Sequence, residues 1–171
     1  LAIVAPGFEV RTYELSVSRS CRGVEIDQGV AASALSDTAA VWQALVLGVR
    51  DYVEKNGFPG VVLGLSGGID SAVTLAVAVD ALGADRVQAV MMPFKYTADM
   101  SVEDAGEQAA TMGVEYDVIS IERIYEMFMS GLSAQFEGTK ADTTEENLQA
   151  GCRGGLLLSI ANKKHSAVLT T

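Results

Sequence analysis

Gly64-Leu65-Ser66-Gly67-Gly68-Ile69-Asp70-Ser71 stands between the β-branched run Val61-Val62-Leu63 and an apolar stretch of helical character that begins near Asp70. A strand that passes through a Ser/Gly-rich turn into a helix makes an anion-binding site, here with a carboxylate built in. Gly67 and Gly68 let the backbone bend sharply and approach a ligand closely. The helix start behind them presents unpaired N–H groups at the positive end of its dipole. A polyphosphate would fit there. The turn lacks the Gly-Lys-Ser/Thr of a Walker A loop, so it offers no lysine to the terminal phosphates, and Asp70 occupies the loop instead. The plainer alternative is an ordinary glycine turn in front of a buried helix.

Outward from this turn the chain alternates between helical and strand patterns. Trp42, Leu45, Val46, Val49 and Val53 recur at helical spacing after Ser36-Asp37, and Gly57 and Pro59 stop that helix. Residues 61–65 read as a strand. Residues 70–82 are apolar nearly all round, as expected of a helix packed on a sheet and covered on its other side. Residues 87–92 form a second strand ended by Pro93. Ser101 and Asp104 have the spacing of a capping box for a helix that ends at Met112 before Gly113. Alternation at Tyr116, Val118 and Ser120 marks a third strand. Ile121, Ile124, Tyr125, Phe128, Met129 and Leu132 mark an amphipathic helix, and residues 136–142 a polar, glycine-containing loop. Thr143 and Glu146 offer a second capping box, for a helix that runs through Leu156-Leu157-Leu158, and residues 167–171 read as a last strand.

This order predicts an α/β fold with a doubly wound parallel sheet whose ligands lie at the carboxyl ends of the strands. The sequence stops at such a strand end, so the domain is expected to be incomplete at its C-terminus. The Ala/Ser-rich stretch 31–40 reads as linker, and residues 21–40 are assigned to it.

Composition excludes several classes. At 171 residues and 49% hydrophobic, the chain can bury one sizeable core. A net charge of -10 argues against a nucleic-acid partner but not against a nucleotide, which can be held by a metal ion and local backbone dipoles. Cys21 and Cys152 are too few and too far apart for a disulfide framework or a zinc site, which points to a reduced, cytoplasmic setting. The apolar runs are broken well short of a membrane span.

The Ser-Gly-Gly-x-Asp-Ser pattern resembles the PP-loop of the N-type ATP pyrophosphatases, enzymes that cleave ATP between its α and β phosphates. Flanking segments narrow the resemblance. Lys55-Asn56-Gly57-Phe58-Pro59-Gly60, Met91-Met92-Pro93 with Tyr96-Thr97, Thr144-Glu145-Glu146-Asn147-Leu148-Gln149-Ala150, Asn162-Lys163-Lys164 and Ala167-Val168-Leu169-Thr170-Thr171 look like the synthetase domain of NAD synthetase, across residues 41–171. The match is greatest to the bacterial glutamine-dependent form, in which a nitrilase-like glutaminase precedes the synthetase. Residues 1–20, with Ala5-Pro6-Gly7-Phe8-Glu9, resemble the last strands of such a glutaminase, and they hold no glutaminase active site.

The resemblance implies the adenine nucleotide alpha hydrolase-like fold and an ATP-dependent amidation of deamido-NAD to NAD. Its carboxylate would be activated as an acyl adenylate, with ammonia, free or released from glutamine, as the nitrogen donor. It implies catalytic roles for Ser66 and Asp70, with Asp70 holding Mg²⁺. ATP would contact Gly64, Leu65, Ser66, Gly67, Gly68, Ile69, Asp70, Ser71 and Thr171, and Asn147 would contact deamido-NAD. The family's association through this domain implies a homo-oligomer. Tyr96 and Ser101 would lie near the nucleotide edge, Ser101 serving equally as a helix cap.

Other residues take structural readings. His165 stands alone in a polar loop without a carboxylate or nucleophile beside it in sequence, Met91 and Met92 are strand-end packing, and Cys152 is a core thiol on a helix. Lys163 and Lys164 complement a helix C-terminus. One position departs from the family: Gln149-Ala150-Gly151 stands where Gln-Ala-Arg is usual, and that arginine is expected to face the dinucleotide. Two residues further along a helix points to another face, which argues against Arg153 as its replacement. Two alternatives stay open, another PP-loop ligase such as a GMP synthetase, and a truncated nucleotide-binding module without catalysis.

Overall fold

The computed structural model describes residues 35–95 and 97–171. The glutaminase-like stretch 1–20, residues 21–34 of the expected linker and Tyr96 lie outside the described residues. The elements in chain order are α1 (Asp37–Lys55), β1 (Val61–Gly64), α2 (Ile69–Leu82), a single 3₁₀ turn (Ala84–Arg86), β2 (Val87–Met91), α3 (Asp99–Met112), β3 (Glu115–Val118), α4 (Glu122–Leu132), α5 (Thr143–Lys164) and β4 (Ala167–Leu169).

The four strands form one sheet in the order β3-β2-β1-β4, all parallel. Val61 pairs with Val87 on one side and with Ala167 on the other, so β1 is interior and its residues alternate between two covered faces. Val61, Leu63 and Leu65 pack with Leu75, Ala78 and Ala81 of α2, Val53 of α1, and Ala105 and Ala109 of α3. Val62 and Val90 face the other way, onto Ile121, Cys152 of α5 and Ala161. Helices on both faces require strands apolar on both faces, which is why β1 and β2 read as unbroken Val/Leu/Ala runs rather than as alternating ones. Leu63 and Leu75 are essentially inaccessible, and each such side chain contributes about 1.5–3 kcal/mol on burial.

Strand order reverses at β1. The chain moves from β1 to β2 to β3 in one direction and then returns by α4 and α5 to place β4 on the other side of β1. The crevice at the carboxyl ends of β1 and β4 is therefore the topological switch point, where open parallel sheets bind ligands.

Helix starts differ from the sequence expectations at three places. α1 begins at Asp37, with the Ser36 side chain accepting from the Ala39 N–H, so residues 37–40 are helix rather than linker. α3 begins at Asp99 after Ala98, and Ser101 lies inside its first turn instead of capping it. The start of α5 moves one residue forward. Asp142 accepts from the Thr144 N–H, and Glu145 accepts from the Asp142 N–H, completing a capping box one position ahead of the Thr143–Glu146 pair. An ionised carboxylate is the stronger acceptor at the positive end of a helix, so Asp142 outcompetes the neighbouring threonine.

Candidate nucleotide site

The turn after β1 is built by its own side chains. The Leu65 N–H donates to the Val90 carbonyl at 2.9 Å, carrying the parallel ladder one residue past the strand. Ser71, buried in the first turn of α2, then reaches back. Its Oγ accepts the Ser66 N–H at 3.1 Å, lies 3.0 Å from Ser66 Oγ and donates to the Gly68 carbonyl at 2.9 Å. Ser66 Oγ in turn accepts the Gly68 N–H at 3.3 Å. The two serines thus clamp the loop into a closed turn.

Gly67 has φ +77° inside that turn, and a Cβ there would overlap the backbone of Ser101 at the start of α3. Both its left-handed conformation and the close approach of α3 require glycine. Gly68 is the N-cap of α2 and brings no side-chain cap, unlike Ser36 of α1 and Asp142 of α5. The N–H groups of Ile69, Asp70 and Ser71 have no carbonyl one turn before them, so this helix end is left open to an anion.

A cavity of about 430 Å³ opens in front of the turn, at the carboxyl ends of β1, β2 and β4. Of the residues expected at the site, Gly64, Leu65, Ser66, Ser71 and Thr171 line it. The Leu65 side chain is buried in the core on the far side, leaving its backbone to face the cavity. Gly64 has no side chain to separate the Met92 and Leu157 side chains, which close on it from the residue after β2 and from α5. Gly67, Gly68, Ile69 and Asp70 are not in the lining. Ile69 is 75% exposed, so what it can offer a ligand is its N–H, and the Asp70 side chain is exposed beside the loop.

Asn147 is not brought to the cavity wall. It is exposed on α5 one turn ahead of Ala150, on the stripe that continues through Ala150, Gly154 and Leu157, which do line the cavity. Ser101 touches the loop through its backbone at Gly67.

Sequence reasoning missed several parts of the wall, four of which bear on its chemistry. Thr74 lines it one turn after Asp70, whose carbonyl accepts from its hydroxyl at 2.9 Å. Thr97 lines it too, its hydroxyl accepting from the Phe94 N–H. Met91 and Met92 are buried packing residues, as expected, and wall residues as well. Arg153 is the fourth. It lines the cavity with its Nε donating to the Met92 carbonyl at 3.3 Å, whereas Gly151 is exposed and not in the lining. α5 therefore brings Arg153, and not position 151, to this cavity. α5 turns Cys152, Leu156 and Ile160 onto the sheet, and that phase carries Ala150, Arg153, Gly154 and Leu157 to the cavity side.

The structural readings of the remaining residues agree with their surroundings. Burial pushes the Cys152 thiol up, against a weaker opposing pull from the Arg153 guanidinium, as suits an inert core cysteine. His165 ends α5 with φ 56° and precedes β4, at the opposite end of the strand from the cavity. Lys164 pairs with Glu115 at 2.8 Å. No described helix is long and apolar enough to cross a membrane.

A parallel sheet with helices on both faces, and a Ser/Gly phosphate turn at its switch point, defines an α/β nucleotide-binding fold of the adenine nucleotide alpha hydrolase type. Comparison with known proteins gives the particular family. The NAD synthase family model matches residues 41–171, and the chain belongs to that family. It is 50% identical over its whole length to the glutamine-dependent NAD(+) synthetase of Acinetobacter baylyi, of which it covers 31%. The solved glutamine-dependent NAD+ synthetase of Acinetobacter baumannii, a complex with ADP, superposes with a TM-score of 0.81 and 57% identity, covering 82% of this chain and 27% of that one. NMN synthetase from Francisella tularensis superposes with a TM-score of 0.71 and 28% identity, over 78% of this chain and 54% of its own. The chain spans between about a quarter and a third of the length of the curated relatives it matches.

Proposed function

We propose that this chain is the ATP-using part of a glutamine-dependent NAD synthetase, acting in the cytoplasm and fed with ammonia by a glutaminase domain to which residues 1–20 would belong. The observation that carries the reading is the uncapped start of α2 held open by the Ser66–Ser71 clamp in front of a cavity at the switch point. ATP would lay its phosphates against the N–H groups of Gly67, Ile69, Asp70 and Ser71, with Thr171 at the neighbouring strand end. Deamido-NAD would extend along α5 toward Asn147.

A carboxylate oxygen of deamido-NAD would then attack the α-phosphorus as the bond to pyrophosphate breaks. Ammonia would attack the resulting acyl adenylate, releasing AMP and a proton and leaving the amide. The chain's own contribution is to position the reactants and to direct fixed donors at the charge that develops on pyrophosphate. Among the described residues no group of three or more His, Cys, Asp or Glu could hold a metal by itself. A single exposed carboxylate beside the phosphate turn nevertheless fits Mg²⁺, which takes one or two carboxylates and shares phosphate oxygens. Asp70 is the residue that would hold it, and the ion would neutralise phosphate charge. As in the family it belongs to, this domain would associate with a second copy.

The test is turnover in the full-length protein with ATP, deamido-NAD and either ammonia or glutamine. NAD, AMP and pyrophosphate are expected in equal amounts. Pyrophosphate release that ignores deamido-NAD would overturn the reading. Preference for the mononucleotide lacking the adenylate half would favour the activity for which the Francisella neighbour is named.

A further inference from the structure

Among the described residues, Arg153 is the one charged side chain that lines the cavity; its other lining groups are hydroxyls, backbone and apolar side chains. The chain as a whole carries a net charge of -10. A lone cation facing a cavity in an acidic protein needs an explanation. Arg153 is half-buried, and no described carboxylate lies within ion-pair distance of it, so among the described residues no carboxylate offsets the partial desolvation of its guanidinium.

Its conformation is fixed by the bond from Nε to the Met92 carbonyl. A guanidinium carries five N–H donors in a planar fork, and that bond uses one of them. The Nη groups remain for a ligand. Gly154, which has no side chain, lines the same wall next to it in sequence. The Ser66–Ser71 turn closes the same cavity, and that turn has hydroxyls and N–H groups but no lysine for the outer phosphates.

We infer that Arg153 supplies this missing cation, forming a forked, charge-assisted contact with the phosphate chain of the nucleotide. This assignment rests on the nucleotide reading of the cavity. The turn would hold the phosphates through backbone dipoles, and α5 would hold them through one planar cation brought from the far side of the sheet. Such contacts are shorter and stronger than neutral ones. Lysine would keep the charge but lose the fork and the anchor on Met92.

The test compares ATP with adenosine, which lacks the phosphates, by calorimetric titration of the full-length wild-type protein and of Arg153→Gln and Arg153→Lys. Arg153→Gln is expected to weaken ATP about tenfold to a hundredfold, the range for hydrogen bonds to a charged group, and to leave adenosine unchanged. Arg153→Lys is expected to fall between the two, which also shows that the loss does not come from misfolding. Equal loss of ATP and adenosine would overturn the inference, because it would mean that Arg153 only braces the Met92 backbone. So would unchanged ATP binding in Arg153→Gln, or a raised KM for deamido-NAD with ATP affinity intact. Wild-type protein that binds no ATP would overturn the nucleotide reading, and this inference with it.

Discussion

Replacing Gly67 with alanine should expose how tightly the phosphate turn is held between β1 and α3. Two separate costs are expected. At φ +77° an L-residue occupies left-handed space, which costs about 1–2 kcal/mol. The new methyl would also overlap the carbonyl, Cα and carbonyl carbon of Ser101, so the first turn of α3 or the turn itself must shift. Backbone is the obstacle, not the end of a flexible side chain. A forced repacking of that kind costs about 1–3 kcal/mol. Gly57 is the internal control. It has φ +70°, but no atom lies within 4 Å of the place a Cβ would take, so Gly57→Ala carries the conformational cost alone. Opening free energies from hydrogen exchange of the β1 amides, measured in the full-length protein, are expected to fall by about 1–2 kcal/mol for Gly57→Ala and about 2–5 kcal/mol for Gly67→Ala. Nucleotide affinity should fall in the second variant only. Equal costs in the two variants would refute the reasoning, since they would mean that α3 does not press on the turn.

The clamp, the metal carboxylate, the α5 cap and the family departure each give a further test. Ser71→Ala leaves the Ser66 N–H and part of the Gly68 carbonyl's bonding unmet, and should cost about 1–3 kcal/mol in stability, read by denaturant titration, and weaken ATP as well. Asp70→Ala should lower deamido-NAD-dependent pyrophosphate release by orders of magnitude, while its exposed position keeps the stability change within about 1 kcal/mol. The hydrogen bond from Thr144 holds the Asp142 carboxyl below its ordinary value, so its capping is complete at neutral pH and is lost as pH falls through that depressed value. The Thr144 amide resonance should titrate there, and not in Asp142→Asn. Gly151→Arg should stabilise α5 by about 0.5–1 kcal/mol in thermal melts, the usual glycine penalty, and leave ATP affinity unchanged, because position 151 is exposed and outside the cavity wall.

The sheet and the phosphate turn were legible because their signals are local. Val61-Val62-Leu63 can be buried on both faces only in an interior parallel strand, and a Ser-Gly-Gly turn leading straight into an apolar helix has few other uses. Helix starts were legible to within one or two residues. At α5 two adjacent acceptors competed and charge decided for Asp142. At α3 no side chain caps the helix at all, and its first turn lies where Gly67 admits it. Tertiary packing there replaces the local cap that the spacing of Ser101 and Asp104 offered in sequence.

The wall contributed by α5 was not legible, and the reason is the phase of the helix. Which residues of a long helix face a site depends on which stripe the core claims. Leu156-Leu157-Leu158 spans more than half a turn and names no single stripe. Cys152 and Ala161, small residues with weak apolar signals, are the buried ones, and together with Leu156 and Ile160 they set the rotation that sends Gly151 to solvent and Arg153 to the cavity. Once that phase is known, the absence of arginine at position 151 no longer removes a cation from this cavity. Among the described residues the positive charge brought there is Arg153, anchored on the backbone next to β2 and sharing the cavity with a turn that has no lysine of its own.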